Sequence, residues 1–261
     1  MRRRLSAFSL IEIAMSLIII GLIAGISIPL MLANYHLNQQ RLTENHKEQI
    51  FSSLAAYVLH HHQLPAPAKT PDGMAAEPCP EVGEDCVGFV PYTTLGLSEK
   101  TAKDGYGNWF TFAVHNSLTR TRPNTDNKSH KFCKVDYGRI TIRNIHTTKK
   151  VSNIREDPIA FVLISHGRAG RGALINSGTR TLSSDFEATN SQGKLEFVEG
   201  IAPNFDHHVY WVTRNNFIAF YTKIPCSNNF WEAITSSPSQ PGDGHAPREK
   251  AKVRVLDDYF E

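Results

Sequence analysis

The sequence predicts an α+β fold, in which one long N-terminal helix packs against a domain built on an antiparallel β-sheet. No Asp, Glu, Lys or Arg occurs between Ile13 and Gln40, and apolar residues then recur at helical spacing as far as Val58. Beyond Pro65 the pattern changes to short strand-like runs separated by Gly, Asn, Asp and Pro. The 261 residues are 41% apolar and 20% charged, an ordinary globular composition that names no function.

The first part of the predicted helix is apolar enough to span a membrane. The run over residues 13–33 contains 21 residues, and about 20 are needed to cross the hydrocarbon core. Three arginines at positions 2–4 precede the run, so the positive-inside rule predicts a cytoplasmic N-terminus with the remaining chain outside. A secretory signal peptide is disfavoured because the apolar run continues through Pro29 and shows no cleavage site after a short core.

An acidic residue, Glu12, lies at the start of this apolar run. An ionised carboxylate costs roughly 2.5–3.5 kcal/mol near the bilayer centre. At the membrane edge the carboxylate reaches the interface and is tolerated, whereas a buried carboxylate needs a cation as its partner. The residues alone leave both interpretations open.

The basic leader is followed by the sequence FSLIE at positions 8–12 and by the apolar run, which contains Gly21 and Pro29. These residues resemble the prepilin cleavage and methylation segment shared by type IV pilins and type II secretion pseudopilins. The resemblance implies a pilin-like fold, cleavage by a prepilin peptidase between Ala7 and Phe8, and N-methylation of Phe8. It also implies that Glu12 pairs with the Phe8 amine of a neighbouring subunit. The family usually has Gly where this chain has Ala7.

Five segments are expected along the chain. Residues 1–7 are a cytoplasmic leader, 8–33 a transmembrane and filament-core helix, 34–62 its amphipathic continuation, 63–235 an extracytoplasmic β-rich domain, and 236–261 a linker and tail. One nearly continuous helix is predicted from about Ser9 to about His61, because apolar residues recur at i, i+3 and i+4 along its second half. These apolar residues are Ile50, Phe51, Leu54, Ala55 and Val58.

The β-rich domain contains six runs with strand-like composition. The run over residues 159–165 is apolar almost throughout and is predicted to be a central strand covered on both faces. A weaker pattern predicts an edge strand at residues 251–256, after the linker. The six predicted strands are Trp109–Val114, Lys131–Tyr137, Arg139–Ile145, Ile159–Ser165, Val209–Thr213 and Phe217–Thr222.

Two further stretches extend the resemblance into the domain. Residues 103–109, KDGYGNW, resemble the Asp-x-x-Gly-Asn turn that enters a strand in pseudopilins. Residues 162–170, VLISHGRAG, resemble a strand and turn of the same broad group. The resemblance covers roughly residues 1–35 strongly and 88–172 less specifically.

The four cysteines, Cys79, Cys86, Cys133 and Cys226, all follow the apolar run, on the side where an oxidising compartment is expected. Three pairings are possible. The short loop between Cys79 and Cys86 favours that pair, which leaves Cys133 with Cys226. A zinc site is disfavoured because no C-x-x-C or H-x-x-x-H spacing occurs.

No catalytic, cofactor or metal site is predicted. Ser165 and His166 are adjacent at a strand end and lack the G-x-S-x-G elbow of a hydrolase, which indicates a structural turn. The sequence GRAGRG at 167–172 matches neither the dinucleotide nor the P-loop pattern. Three consecutive histidines at 60–62 point in different directions on a helix, and the aspartates form no D-x-D-x-D calcium loop.

Nucleic acid is not an expected partner. The formal charge is +3, from 28 basic and 25 acidic residues. Cleavage after residue 7 removes three of the 28 basic residues and leaves 25, equal to the acidic count. A moderately basic region at 128–150 is therefore interpreted as a solvated surface rather than a DNA-binding face.

These features favour a structural, non-enzymatic subunit, a minor pilin or pseudopilin of a type IV pilus-like or type II secretion filament. Its expected location is the bacterial inner membrane, crossed once, with a periplasmic C-terminal domain. The expected partners are other pilin-like subunits, the prepilin peptidase, the assembly platform and membrane lipid. The alternative is a membrane-anchored extracytoplasmic binding domain that does not polymerise. A secretion pseudopilus, a type IV pilus and a DNA-uptake apparatus all fit the resemblance.

Overall fold

The fold is α+β, as the sequence predicts, with one long helix and an antiparallel sheet. The computed structural model describes residues 10–79, 86–119, 139–147, 150–151, 157–182 and 185–222. The predicted cleavage residues Ala7 and Phe8, the strands at 131–137 and 251–256, and the tail at 236–261 lie outside the described residues. The segment boundaries at 33 and 235 stay predictions.

Helix α1 runs without interruption over Leu10–His61 and is 52 residues long, or about 78 Å at 1.5 Å per residue. It continues through Pro29, whose ring removes one backbone donor. Its buried side chains begin at Thr43 and end at Val58. The apolar stripe predicted from the sequence is buried as expected, since its five members are at most 5% exposed.

The main sheet contains four antiparallel strands in the order β1-β2-β4-β6. Strand β1 is Val87–Phe89, β2 is Thr111–Val114, β4 is Ile159–Ser165 and β6 is His208–Thr213. Strand β4 lies between β2 and β6 and is buried at every position, which confirms the predicted central strand.

A second, two-stranded sheet pairs β3, Thr141–Asn144, with β5, Glu196–Glu199. The pairing is parallel, so the expectation that the 139–145 run joins the antiparallel sheet is wrong. Strand β5 has no alternation to predict it, because its two apolar residues, Phe197 and Val198, are adjacent. A short helix, α2, at Asp185–Ser191 precedes β5.

The segment predicted as a strand at residues 217–222 is helical instead. A turn at Arg214–Asn216 continues as a π-helix over Phe217–Thr222. Phe217 and Ile218 are buried, and Tyr221 lies one turn further on, where its ring centroid is 5.7 Å from that of Phe51 on α1. This helical spacing lets one face of the segment pack on α1, which overrides the β-propensity of its aromatic residues.

Both faces of the main sheet are covered. Phe161 of β4 faces α1, and its ring centroid lies 5.0 Å from that of Phe51. Val162 and Ile164 of the same strand pack instead with Ile142 of β3 in a second apolar cluster. Two covered faces explain why β4 is apolar rather than alternating.

Cys79 and Cys86 form a disulfide beside β1, with their Cα atoms 5.7 Å apart. Both residues are buried, at 6% and 1% exposure. This agrees with the pairing that the short loop favoured. The predicted partner pair, Cys133 and Cys226, lies outside the described residues.

Candidate functional site

The first part of α1, residues 10–33, projects from the domain as a bare apolar surface. Its large apolar side chains are between 51% and 87% exposed, from Ile13 to Leu10. A continuous apolar surface all around a helix is not stable in water and is normally covered by lipid or by other apolar helices. The helix is long and apolar enough to cross a membrane.

Three residues that match the prepilin segment, Glu12, Gly21 and Pro29, lie on this part of α1. Glu12 occupies the first turn, and its carbonyl oxygen accepts a hydrogen bond from Ser16 Oγ at 2.8 Å. A Cβ added at Gly21 or Gly25 meets nothing within 4 Å, so both glycines leave the helix surface open to close approach. Pro29 lies within the continuous helix.

The helix enters the domain at the turn over residues 103–109, called here the Asp104 turn. The Gly105 backbone N–H donates to Thr43 Oγ1 of α1 at 2.9 Å. His46 Nδ1 donates to the Lys103 carbonyl oxygen at 2.7 Å. A Cβ at Gly105 would collide with the Gln39 carbonyl oxygen, so only glycine permits this approach of turn and helix.

Asp104 organises this turn from the inside. Its Oδ1 accepts from the backbone N–H groups of Tyr106 at 3.0 Å and Asn108 at 2.9 Å, and its Oδ2 accepts from Ser165 Oγ at 2.8 Å. Asp104 is 3% exposed. Burial raises the pKa of Asp104, and these hydrogen bonds oppose that rise because they stabilise the ionised form.

The two stretches of the domain that resemble pilin-like proteins meet here. Asn108 Nδ2 donates to the Gly167 carbonyl oxygen at 2.7 Å, and Ser165 donates to Asp104. A Cβ on Gly170 would press against the Asn108 side chain. The Asp104 turn and the turn after β4 therefore form one unit, which agrees with a structural role for Ser165 and His166.

A buried histidine pair lies next to this unit. Thr111 Oγ1 receives a hydrogen bond from Arg180 Nη1 at 3.1 Å and donates to His166 Nε2 at 2.8 Å. His207 Nε2 donates to the Arg171 carbonyl oxygen at 2.7 Å, and its Nδ1 faces the amide of Asn190 at 3.2 Å. Each ring thus has a donor directed at its lone pair, which favours two neutral imidazoles.

The electrostatic environment acts in the same direction. Burial, assisted by His207 and by the Arg180 cation, lowers the pKa of His166 well below its ordinary range. Burial also lowers the pKa of His207, although the Arg171 carbonyl and Glu187 oppose the shift. Because His166 is 0% exposed and Ser165 donates to Asp104 rather than to it, the Ser-His dipeptide lacks the geometry of a hydrolase.

Helix α1 carries a buried ion pair that the sequence pattern did not predict. Lys47, 2% exposed, contacts Glu44 at 2.6 Å and Glu48 at 3.1 Å, and Tyr210 donates to Glu44 at 2.6 Å. Burial acts to lower the pKa of Lys47, but the two carboxylates raise it overall. The helical spacing of these residues could have indicated the burial, because Thr43 and Lys47 extend the buried stripe of α1 by two turns towards the N-terminus.

Among the described residues, no group of three His, Cys, Asp or Glu side chains could hold a metal ion. The three histidines at the end of α1 are exposed. No model of a known protein family matches the chain, and neither curated proteins nor solved structures give a match.

Proposed function

We propose that this chain is a pilin-like filament subunit, a minor pilin or pseudopilin processed before Phe8 and assembled through its N-terminal helix. The observation that carries the proposal is the division of α1 into two halves. One continuous helix has a bare apolar half over residues 10–33 and a half buried in an α+β domain from Thr43 onwards. Such a helix is suited to leaving lipid and packing among copies of itself without unfolding its domain.

The residues of the FSLIE segment supply the assembly chemistry in this proposal. Cleavage between Ala7 and Phe8 creates a new amine four residues before Glu12 in the sequence. The carboxylate of Glu12 pairs with the Phe8 amine of a neighbouring subunit and so sets the axial register of the filament. The pairing compensates the cost of an ionised carboxylate in an apolar core.

The bare surface of the helix favours close packing between subunits. Gly21 and Gly25 lie one turn apart, and small residues at this spacing allow helices to approach closely. Pro29 removes a backbone hydrogen bond and allows a local opening of the helix during transfer into the filament core. The protein's role is structural and non-enzymatic, and its partners are other pilin-like subunits, the prepilin peptidase and the inner-membrane assembly platform.

Mass spectrometry of the mature N-terminus tests the proposal. Protein isolated from membranes of the native host is expected to begin at an N-methylated Phe8. The same chain from cells without the prepilin peptidase should retain Met1. An intact Met1 in normal cells, or a cut beyond Pro29, would contradict the proposal and support a membrane-anchored domain that does not polymerise.

A further inference from the structure

The point at which α1 leaves the apolar segment coincides with a cluster of polar and aromatic side chains. If the hydrocarbon core ends near Ala33, His36 lies about 4.5 Å beyond it along the helix. The headgroup layer of one leaflet is roughly 5–8 Å thick. Every side chain that contacts His36 therefore lies at headgroup depth in the membrane-inserted chain.

Four side chains make up this junction cluster: Tyr35, His36, Tyr106 and Arg168. The rings of Tyr35 and His36 are in edge contact, with centroids 5.8 Å apart, and the rings of His36 and Tyr106 are 6.3 Å apart. Arg168 Nη1 donates to His36 Nε2 at 3.4 Å. The cluster thus joins the helix to both of the turns that hold the domain on it.

Arg168 is the cationic member of the cluster. Its guanidinium is exposed and has only donors, one of which is directed at His36. In the part of the chain that the structure describes, no carboxylate lies within salt-bridge distance of Arg168. The nearby carboxylate of Asp206 instead accepts from the Ala169 backbone N–H at 3.2 Å.

We propose that the junction cluster binds the phosphate of an anionic phospholipid in the leaflet next to the domain. The proposal rests on the membrane-spanning helix of the proposed function. A guanidinium binds phosphate through two parallel hydrogen bonds, and tyrosines are favoured at headgroup depth. The lipid site would hold the domain at a fixed height and rotation before the subunit leaves the membrane.

Native mass spectrometry of the full chain in non-ionic detergent, with equimolar phosphatidylglycerol and phosphatidylcholine, tests this site. The wild type should retain roughly fivefold more of the anionic lipid, the effect expected of one arginine near an anionic surface. Arg168→Gln should reduce the ratio to near one. Arg143→Gln is the matched control, because Arg143 is 43% exposed on β3 and outside the cluster, and it should leave the ratio unchanged.

Three results would overturn the lipid site. These are equal retention of both lipids by the wild type, an unchanged ratio in Arg168→Gln, and displacement of the lipid by millimolar inorganic phosphate, which would assign the cluster to a free anion. Alkaline extraction of membranes shows whether only the lipid site is wrong or the proposed function is wrong as well. A chain released by alkali is not membrane-spanning and loses both proposals, whereas an alkali-resistant chain without lipid preference loses only the lipid site.

Discussion

Asp104 holds the turn on which α1 packs, and its chemistry explains why a charged residue occupies a buried position. Four donors converge on the carboxylate, namely two backbone N–H groups of its own turn, the backbone N–H of His166 and the hydroxyl of Ser165 on β4. A buried donor without an acceptor costs about 1–3 kcal/mol. The pKa of Asp104 is nevertheless raised, so these hydrogen bonds offset only part of the cost of burying the ionised carboxylate.

Replacement of Asp104 by Ala is expected to lower the free energy of unfolding by about 2 kcal/mol, because it leaves the buried Ser165 hydroxyl and the part-buried backbone donors of the turn without their acceptor. Urea unfolding of the full chain in detergent, followed by the signal of the nearby Trp109, measures the change. Asp72→Ala is the matched control. Asp72 accepts two hydrogen bonds in an exposed turn, so its loss should matter much less. Equal effects of the two changes would show that burial at Asp104 has no special role.

Among the elements, β4 and the helical segment after β6 show what sequence patterns can and cannot predict. Strand β4 was predicted with its observed bounds because continuous burial leaves a continuous apolar run. The residues at 217–222 are also mostly apolar, yet they form a π-helix that buries Phe217 and Ile218 and brings Tyr221 against Phe51 of α1. Local composition does not show which residues pack together in the fold. The sequence alone could therefore not tell that one apolar segment forms a strand and the other a helix.

The candidate site was predictable to a similar degree. The motifs that contain Asp104 and Ser165 were each recognised, but their direct hydrogen bond joins residues 61 positions apart in the chain. The burial of Lys47 was not predicted because lysine is rarely buried, and Tyr210, which donates to its partner Glu44, lies 166 positions from Glu44 in the chain. Whether these polar residues are buried depends on the side chains that they pair with in the fold and not on residue type alone.

The turn after β4 is expected to make the stability of the domain depend on pH. The folded-state pKa of His166 lies below its unfolded value of 6.5, because burial and the neighbouring cation favour the neutral ring. The unfolded chain therefore binds the proton first as the pH falls, and stability is lost below pH 6.5. For this one histidine the loss should be on the order of 1 kcal/mol per pH unit.

Urea unfolding of the full chain at pH 7.5 and 5.5 measures this loss. Twelve histidines are present, so a variant is needed to assign the effect. His166→Gln should reduce the difference between the two pH values, whereas His60→Gln, at the exposed end of α1, should not. A difference that is equal in wild type and His166→Gln would assign the pH dependence to other groups.

At the scale of the whole molecule, α1 links two environments with opposite requirements. Its first half is mostly apolar and exposed, whereas its second half is fixed by a buried stripe, a buried lysine and the Asp104 turn. In the function proposed above, the first half would exchange lipid for the apolar helices of neighbouring subunits while the second half stays packed in the domain. The exchange then depends on the few polar residues of the bare half, of which Glu12 is the charged one.

Replacement of Glu12 by Ala is therefore expected to abolish incorporation into filaments while membrane insertion is retained, because the apolar run stays intact and only the proposed partner of the Phe8 amine is lost. Glu12→Gln should fail in the same way, since it keeps the shape and removes the charge. Ser16→Ala, one turn further along the helix, is the control and should assemble normally.

Sheared filament fractions measure incorporation and alkali-extracted membranes measure insertion, each by immunoblot. Normal incorporation of Glu12→Ala would show that register is set elsewhere on the helix, and loss of insertion would show that the carboxylate acts in membrane entry instead.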